Sequence, residues 1–230
     1  MKERADKLLV ARGLAPSVEK ARALLMAGLV SSGGERVTKA GMLLDVDKQL
    51  EVKALQPFVS RAGAKLAQAL DAFGIDPAGK TAADIGASTG GFTDCLLDRG
   101  ARLVYAVDVD TKQLDWKLRG DPRVVLVEKN ARSLVPADFP RAPKIVSMDV
   151  SFISVLKILP ALEAVLAPGG VLVVLIKPQF EALPSKVGKG GIVRDPAVRA
   201  EVLERVIRGA EESGFVLGGL VRSATRGRTG

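Results

Sequence analysis

The sequence contains no histidine, and that absence excludes more chemistry than any other single feature. Ser-His-Asp triads, Cys-His pairs, imidazole general bases and the common histidine-bearing metal sites are all ruled out. Any proton moved in catalysis must pass through Lys, Asp or Glu. The lone cysteine, Cys95, can form neither an internal disulfide nor a cysteine zinc cluster. It fits a reducing compartment and reads as a small buried hydrophobe. Long apolar runs are also missing: VLVVLI, from Val171 to Ile176, is the longest aliphatic run, far short of the roughly 18–20 apolar residues a membrane helix needs. The N-terminus, MKERADK, is charged where a secretory signal would be apolar. These absences predict a cytoplasmic protein with no membrane partner and no metal. What is present is ordinary globular composition, 47% apolar and 26% charged over 230 residues, enough for one large domain or a small module joined to a medium one. Lys and Arg number 34 against 26 Asp and Glu, and the resulting +8 favours polyanionic partners.

The first part of the chain runs over residues 1–59. Leu8, Leu9 and Val10 close a short helix ended by Gly13, and Ser17 caps a second, VEKARALLMAG, that stops at Gly28. Short β-like runs follow, with Gly33-Gly34 as the turn between them. This stretch holds 10 Lys or Arg against 7 Asp or Glu, a net of +3. The seam is ALQPFVSR, with the linker at about residues 54–60, where Pro57 breaks the strand pattern and Ser60 can start the helix RAGAKLAQALDAFG. On that helix Leu66, Ala69, Leu70 and Phe73 share one face, while Lys65 falls on the other with Arg61 and Gln68. Taken alone, Lys65 reads as a solvated cation.

Residues 61–230 alternate strands and helices with the period of βαβ units. TAADIG, RLVYAVDV, RVVLVE, KIVSMDV and VLVVLIKP read as strands, separated by helical stretches such as GGFTDCLLDRG and SVLKILPALEAVL. The pattern predicts an α/β domain with a doubly wound, mostly parallel sheet, preceded by a small α+β domain. Ligands bind such sheets at the carboxyl ends of the strands. Asp84-Ile85-Gly86, Asp108, Glu128-Lys129-Asn130, Asp149 and Lys177 lie there. In the loop DIGASTGGF, Gly86, Gly90 and Gly91 allow close backbone approach to a ligand. The loop is neither a GxGxxG fingerprint nor a P-loop, since no Lys follows the glycines, so phosphate cradling is disfavoured. Asp108 ends the next strand, about 20 residues on, where a carboxylate can accept from a ribose diol. Asp110 is a second candidate for that role. An adenosine-type cofactor follows.

Two resemblances sharpen these readings. RADKLLVARGLAPSVEKARALLMAGLV followed by GERVTKAG resembles the RNA-binding domain named after ribosomal protein S-four, over about the first 50 residues. By that resemblance Arg4, Lys7, Lys20, Arg22 and Arg36 contact RNA phosphates, in keeping with the sequence-independent affinity of Lys and Arg for a phosphate backbone. The alternating signs of Glu3, Asp6 and Glu19 also suit a plain solvated face. VSRAGAKL, DIGASTGGF, AVDV, QLDWKLR, MDVSFIS and IKPQFE together resemble the TlyA family within the FtsJ-like ribose methyltransferases, across nearly the whole chain. That resemblance implies a Rossmann-like methyltransferase domain, S-adenosyl-L-methionine as cofactor, and ribosomal RNA or ribosomal subunits as partner, methylated at a cytidine ribose 2′-hydroxyl. It implies cofactor contacts at Asp84, Gly86, Ala87, Ser88, Thr89, Gly90, Gly91, Phe92, Asp108, Val109, Asn130, Ala131 and Asp149. Of the family's catalytic Lys-Asp-Lys-Glu set, Lys65, Asp149 and Lys177 have matches here.

Two departures from the family qualify the resemblance. The sequence reaches SATRGRTG after FVLGGLVRS, which reads as a strand, where the family continues into a GN-x-E segment and a final strand. The closing Glu has no counterpart, so the methyltransferase domain is expected to be C-terminally incomplete, with weak or absent activity. Asp110-Thr111-Lys112 stands where the family has a Gly and an aromatic, which adds a cation near the adenosine pocket. The residue types suit the reaction on their own terms. A 2′-hydroxyl is a poor nucleophile that needs alignment and help with one proton, and without histidine the available base is Lys. Three function classes follow: an RNA ribose methyltransferase, an RNA-binding protein that holds the cofactor without turnover, and a membrane-active protein, since the family carries a haemolysin label. Against the last stand the missing spanning segment and the missing long, basic amphipathic helix.

Overall fold

The computed structural model describes residues 1–53 and 57–224. Residues 54–56 of the expected seam and 225–230 of the closing stretch lie outside the described residues. Two compact units divide the chain, Met1–Gln56 and Pro57–Gly230.

In the first unit β1 (Lys2–Arg4) leads into α1 (Ala5–Ala11) and α2 (Val18–Met26), followed by β2 (Val30–Ser32), β3 (Glu35–Arg36), β4 (Leu43–Asp45) and β5 (Leu50–Val52). Ser17 caps α2 as expected, its side chain accepting from the Lys20 N–H at 3.3 Å. The Gly33-Gly34 turn brings Ser32 opposite Glu35, and β2 pairs with β5 on its other edge. β1 was not foreseen, because its three polar residues carry no alternation; it pairs antiparallel with β4, Lys2 opposite Asp45. Leu8 and Leu9 of α1 and Leu25 of α2 pack with Val30, Leu44 and Leu50 as an aliphatic core.

The second unit contains α3 (Ala62–Phe73), β6 (Thr81–Ile85), α4 (Gly91–Asp98), β7 (Leu103–Asp108), α5 (Trp116–Arg119), β8 (Val124–Glu128), β9 (Ile145–Met148), α6 (Leu159–Val165), β10 (Val171–Val174), α7 (Pro178–Glu181) and α8 (Pro196–Glu212). The five strands form one parallel sheet in the order β10-β9-β6-β7-β8. Successive strand residues point to opposite faces, so Ala82, Val104 and Ile145 join one core with Leu66 and Leu70 of α3 and Leu96 of α4. Ala83, Tyr105 and Val146 join another with Leu159 and Leu162 of α6 and Val202 and Val206 of α8. Burial on both faces explains why these strands read as near-continuous apolar runs. Cys95 is fully buried, as expected for a core hydrophobe, and burial pushes its thiol pKa up to about 12. Phe58 also joins a core of this unit, and the Val59 N–H donates to Asp94 Oδ2 at 2.8 Å.

Two expected strands differ. VLVVLIKP is a strand only over Val171–Val174. FVLGGLVRS, read as a strand, has no ladder partner among the described residues. There the Gln68 side chain of α3 donates to the Arg222 carbonyl at 2.9 Å and accepts from the Ala224 N–H at 2.8 Å. Among the described residues no helix is long and apolar enough to cross a membrane.

Candidate active site

β6 begins the parallel sheet in the chain, with β7 on one side and β9 on the other, so the chain order reverses at β6 and opens a crevice at the carboxyl ends of these strands. Asp84, near the end of β6, is fully buried. Its Oδ2 accepts from both the N–H and the hydroxyl of Thr93, each at 2.8 Å, while Oδ1 has no partner among the described residues. Burial pushes its pKa up to about 7, with Asp149 and Asp108 adding to the rise and Thr93 opposing it. The folded value lies above the ordinary carboxyl value of 3.8. Stability from this group is therefore full below about pH 4 and is lost as pH rises through 7. An Asp84→Asn variant should lack that loss, so denaturant titrations at pH 5 and pH 8 should show a wild-type decrease on the order of 3 kcal/mol that the variant does not share. Equal pH dependence in both proteins would refute the buried-acid account.

Beyond β6 the chain turns sharply. Gly86 sits at φ +82°, and a Cβ there would lie 2.8 Å from the Asp149 carbonyl oxygen. Gly90 sits at φ +94°, and its Cβ would meet Leu118 Cδ1 at 2.3 Å and Leu114 Cδ1 at 2.8 Å. Both positions exclude a side chain on conformational and steric grounds. Ser88, at φ +48°, donates its N–H to Asp108 Oδ2 at 2.8 Å, so the loop and the acid of β7 are fixed to each other. Asp108 Oδ1 accepts from the Asp110 N–H at 3.1 Å. Asp110, the second ribose candidate, spends its carboxylate within its own turn, accepting from the Lys112 N–H at 3.1 Å and from Gln113 Nε2 at 3.2 Å. A small recess adjoins this loop, lined by Ala87, Ala106, Leu114 and Leu126 with Ser88, Asp108 and Thr111. Thr111 donates its hydroxyl to Glu128 Oε2 at 2.8 Å, whereas the Lys112 side chain is exposed and outside the recess lining.

Not every expected cofactor contact faces this recess. The Phe92 ring is buried in the core beside Leu96, and Gly91 abuts Ser60 and Gly63 at the start of α3, so both serve packing through their side-chain positions. Val109 is exposed, and Asn130 caps the turn after β8 by accepting from the Arg132 N–H at 3.0 Å, with Ala131 packed against the core behind it. Thr89 contributes its carbonyl to the Asp115 N–H at 3.2 Å, which pins the segment before α5 to the glycine loop. An apolar recess with a fixed carboxylate at Asp108, a glycine turn and an unpartnered buried oxygen on Asp84 fits an adenosyl cofactor, which is apolar at the base and donates hydrogen bonds from its ribose and amine.

Asp149 follows β9 and Lys177 follows β10. Their side chains meet, Lys177 Nζ lying 2.6 Å from Asp149 Oδ1, and both are largely buried. The ammonium contacts that oxygen off hydrogen-bonding geometry; its hydrogen bond goes to Ser151 Oγ at 2.8 Å. Lys177 also lies 5.7 Å from the centroid of the Phe180 ring. Lys65 is half-buried on α3 and makes no hydrogen bond or ion pair with Asp149 or Lys177. Of the three expected catalytic groups, Asp149 and Lys177 are in direct contact. Ser151, Thr93 and Glu181, whose bonds fix this region, were missed; only the placing of Ser151 and Glu181 within DVSFIS and KPQFE could have pointed to them.

In the N-terminal unit, Arg4 and Arg22 converge on Asp6, whose side chain is fully buried. Arg4 donates at 2.7 and 3.0 Å and Arg22 at 3.0 Å, and the Lys7 N–H adds a fourth bond at 3.0 Å. The bond from Arg4 above all holds the Asp6 carboxyl well below the usual carboxylate range. Lys7, Lys20 and Arg36 are exposed and make no ion pair among the described residues. Arg4 and Arg22 are therefore structural as well as basic. Changing both to Ala should lower the thermal unfolding temperature of this unit, because it strips a buried carboxylate of its cations, though the partly solvated guanidiniums keep the loss below that of a fully buried pair. Unchanged thermal unfolding of the double variant would contradict this.

Sheet order and the position of the glycine loop make the second unit a Rossmann-like methyltransferase domain. Comparison with known proteins gives the family. The chain belongs to the FtsJ-like methyltransferases, whose family model matches residues 58–230, while the S4 domain model matches residues 3–50. It is 50% identical to YqxC of Bacillus subtilis, which carries an rRNA methyltransferase name, over 100% of this chain and 83% of that protein. It is 44% identical to TlyA of Mycobacterium tuberculosis, named a 16S/23S rRNA (cytidine-2'-O)-methyltransferase, over 99% of this chain and 86% of that protein. A solved structure of a hemolysin-named protein from Streptococcus thermophilus superposes with a TM-score of 0.75 at 46% identity, covering 98% of this chain and 84% of that one.

Proposed function

We propose that this protein transfers a methyl group from S-adenosyl-L-methionine to a cytidine ribose 2′-hydroxyl of ribosomal RNA, acting on ribosomal subunits in the cytoplasm. The observation that carries the reading is the contact between Lys177 and Asp149 at the same strand ends as the glycine loop. The family membership and the names of the mycobacterial and Bacillus relatives support it. Residues 1–56 form the RNA-binding domain, with Arg4, Lys7, Lys20, Arg22 and Arg36 toward phosphates, and residues 57–230 the methyltransferase domain, a boundary a few residues earlier than the expected 59/61 because Phe58 and Val59 pack and bond within the second unit.

When bound, the cofactor supplies an electrophilic sulfonium methyl. Asp108, held by the Ser88 N–H, accepts from the cofactor ribose, and its fixed geometry favours it over Asp110 for that role. Asp84 offers its unpartnered oxygen to the same ligand. Lys177 orients the 2′-hydroxyl and, after passing one ammonium proton to the Asp149 carboxylate 2.6 Å away, takes the hydroxyl proton in its place, and Asp149 fixes the direction of Lys177, so that alignment rather than a strong base carries most of the acceleration. Lys65, half-buried on α3 and free of ion pairs among the described residues, lends positive charge to the RNA side.

The test is transfer of labelled methyl from S-adenosyl-L-methionine to purified ribosomal subunits, with the product mapped to a ribose. A product methylated on a base would sink the ribose assignment. Cofactor binding with no transfer would favour the binding-only protein, and vesicle leakage at low protein concentration would favour a membrane-active one.

A further inference from the structure

Asp149 and Lys177 are brought together by two turns that no sheet ladder reaches. The pairing of β9 with β10 ends at Met148 opposite Val174, with one further bond from the Leu175 N–H to the Met148 carbonyl. After it, residues 150–154 leave β9 and α7 leaves β10. The first turn is strained, since Phe152 has φ +65°, a conformation that bulky residues hold only where the surroundings fix it.

Glu181 ties the end of this turn to the other one. Its side chain is 1% exposed, and its carboxylate crosses from α7 to the other turn, accepting from Ser154 Oγ at 2.7 Å and from the Val155 N–H at 2.8 Å. Arg205 of α8 stands 3.9 Å behind it. On the same pair of turns Lys177 donates to Ser151, and the Phe152 and Phe180 rings lie 5.1 Å apart. Two residues before this clamp on one turn is the strained Phe152; three residues before Phe180 on the other is Lys177.

We infer that Glu181 is a positioning residue for the Asp149–Lys177 pair, a buried latch that locks the turn after β9 onto the turn after β10 and so sets the angle at which Lys177 meets the ribose hydroxyl. The inference rests on the methyltransferase reading above. Among the described residues Glu181 makes no hydrogen bond or ion pair with the glycine loop, so loosening it costs alignment and leaves cofactor binding intact.

Steady-state methyl transfer to ribosomal subunits tests this, together with calorimetric cofactor affinity and thermal unfolding. Glu181→Ala should lower kcat by about 30-fold or more, with the RNA KM and the cofactor Kd within about threefold of wild type. Glu181→Gln should recover most of the loss, because its amide oxygen can accept from the Val155 N–H while its NH2 donates to a reversed Ser154 hydroxyl. Should Glu181→Ala fail to fold, Ser154→Ala removes one of the two bonds, and a several-fold fall in kcat at unchanged KM is expected from it. Wild-type kcat in the folded variants overturns the latch, as does a parallel loss of kcat and cofactor affinity, which marks a merely structural acid. Lys177→Ala is measured alongside. If it keeps full turnover, the reading of the pair fails and the latch with it. If it is inactive while Glu181→Ala turns over normally, the latch alone fails.

Discussion

Lys177→Ala is expected to reduce methyl transfer by about three orders of magnitude, while cofactor affinity stays within a few-fold of wild type. A positioned group that handles one proton contributes roughly 100- to 10,000-fold, and here the same nitrogen also aligns the attacking oxygen. The substitution removes the partner that lies 2.6 Å from Asp149 and leaves a largely buried carboxylate beside the place where the hydroxyl must lose its proton. A negative charge left unpaired there hinders approach of the RNA as well as the chemistry. Asp149→Ala should be comparably severe, because Lys177 then keeps only Ser151 as a polar partner. Labelled-methyl incorporation into ribosomal RNA reads both variants. Undiminished incorporation by Lys177→Ala would show that another group does this work.

Gly90→Val should weaken cofactor binding by on the order of 100-fold or more, and the reason is not the one the loop suggests at first. A side chain at Gly90 does not project toward a ligand. It drives into Leu118 at 2.3 Å and Leu114 at 2.8 Å, both buried, and Leu114 lines the recess beside Asp108. Overpacking costs about 1–3 kcal/mol and the left-handed backbone adds about 1–2 kcal/mol for a residue with a Cβ. The loop can escape both only by moving, which takes the Ser88 N–H away from Asp108. Calorimetry against S-adenosyl-L-methionine checks this, and an unchanged Kd would remove the glycine loop from the site.

The sheet and the acids at its strand ends were legible because short, near-continuous aliphatic runs and terminal Asp residues are local signals. Asp84, Asp108, Asp149 and Lys177 could be placed at one end of the sheet from their position after each run. What no run of residues announces is a contact across the chain. Thr93 on Asp84, Ser88 on Asp108 and Glu181 on Val155 each join segments whose spacing has no period. The same limit explains Phe92, which stands in the glycine motif yet turns its ring into the core, and Arg22, whose partner Asp6 lies on the preceding helix. FVLGGLVRS has strand composition, but composition does not supply a neighbouring strand to pair with, and a glutamine side chain on α3 takes its backbone bonds instead.

Asp6 also changes what the two arginines can give to a polyanion. An arginine facing solvent brings condensed salt off the nucleic acid when it docks, and each such contact steepens the fall of log K with log salt by about 0.9 on a duplex. Arg4 and Arg22 share one internal carboxylate, so the cluster presents a net single positive charge. Together they should count as about one counterion displaced rather than two. A phosphate that binds them competes with Asp6 for the same N–H groups, so docking is an exchange of acceptors, less sensitive to ionic strength than the number of arginines implies. Lys7, Lys20 and Arg36, with no such internal anion among the described residues, carry the salt-sensitive share.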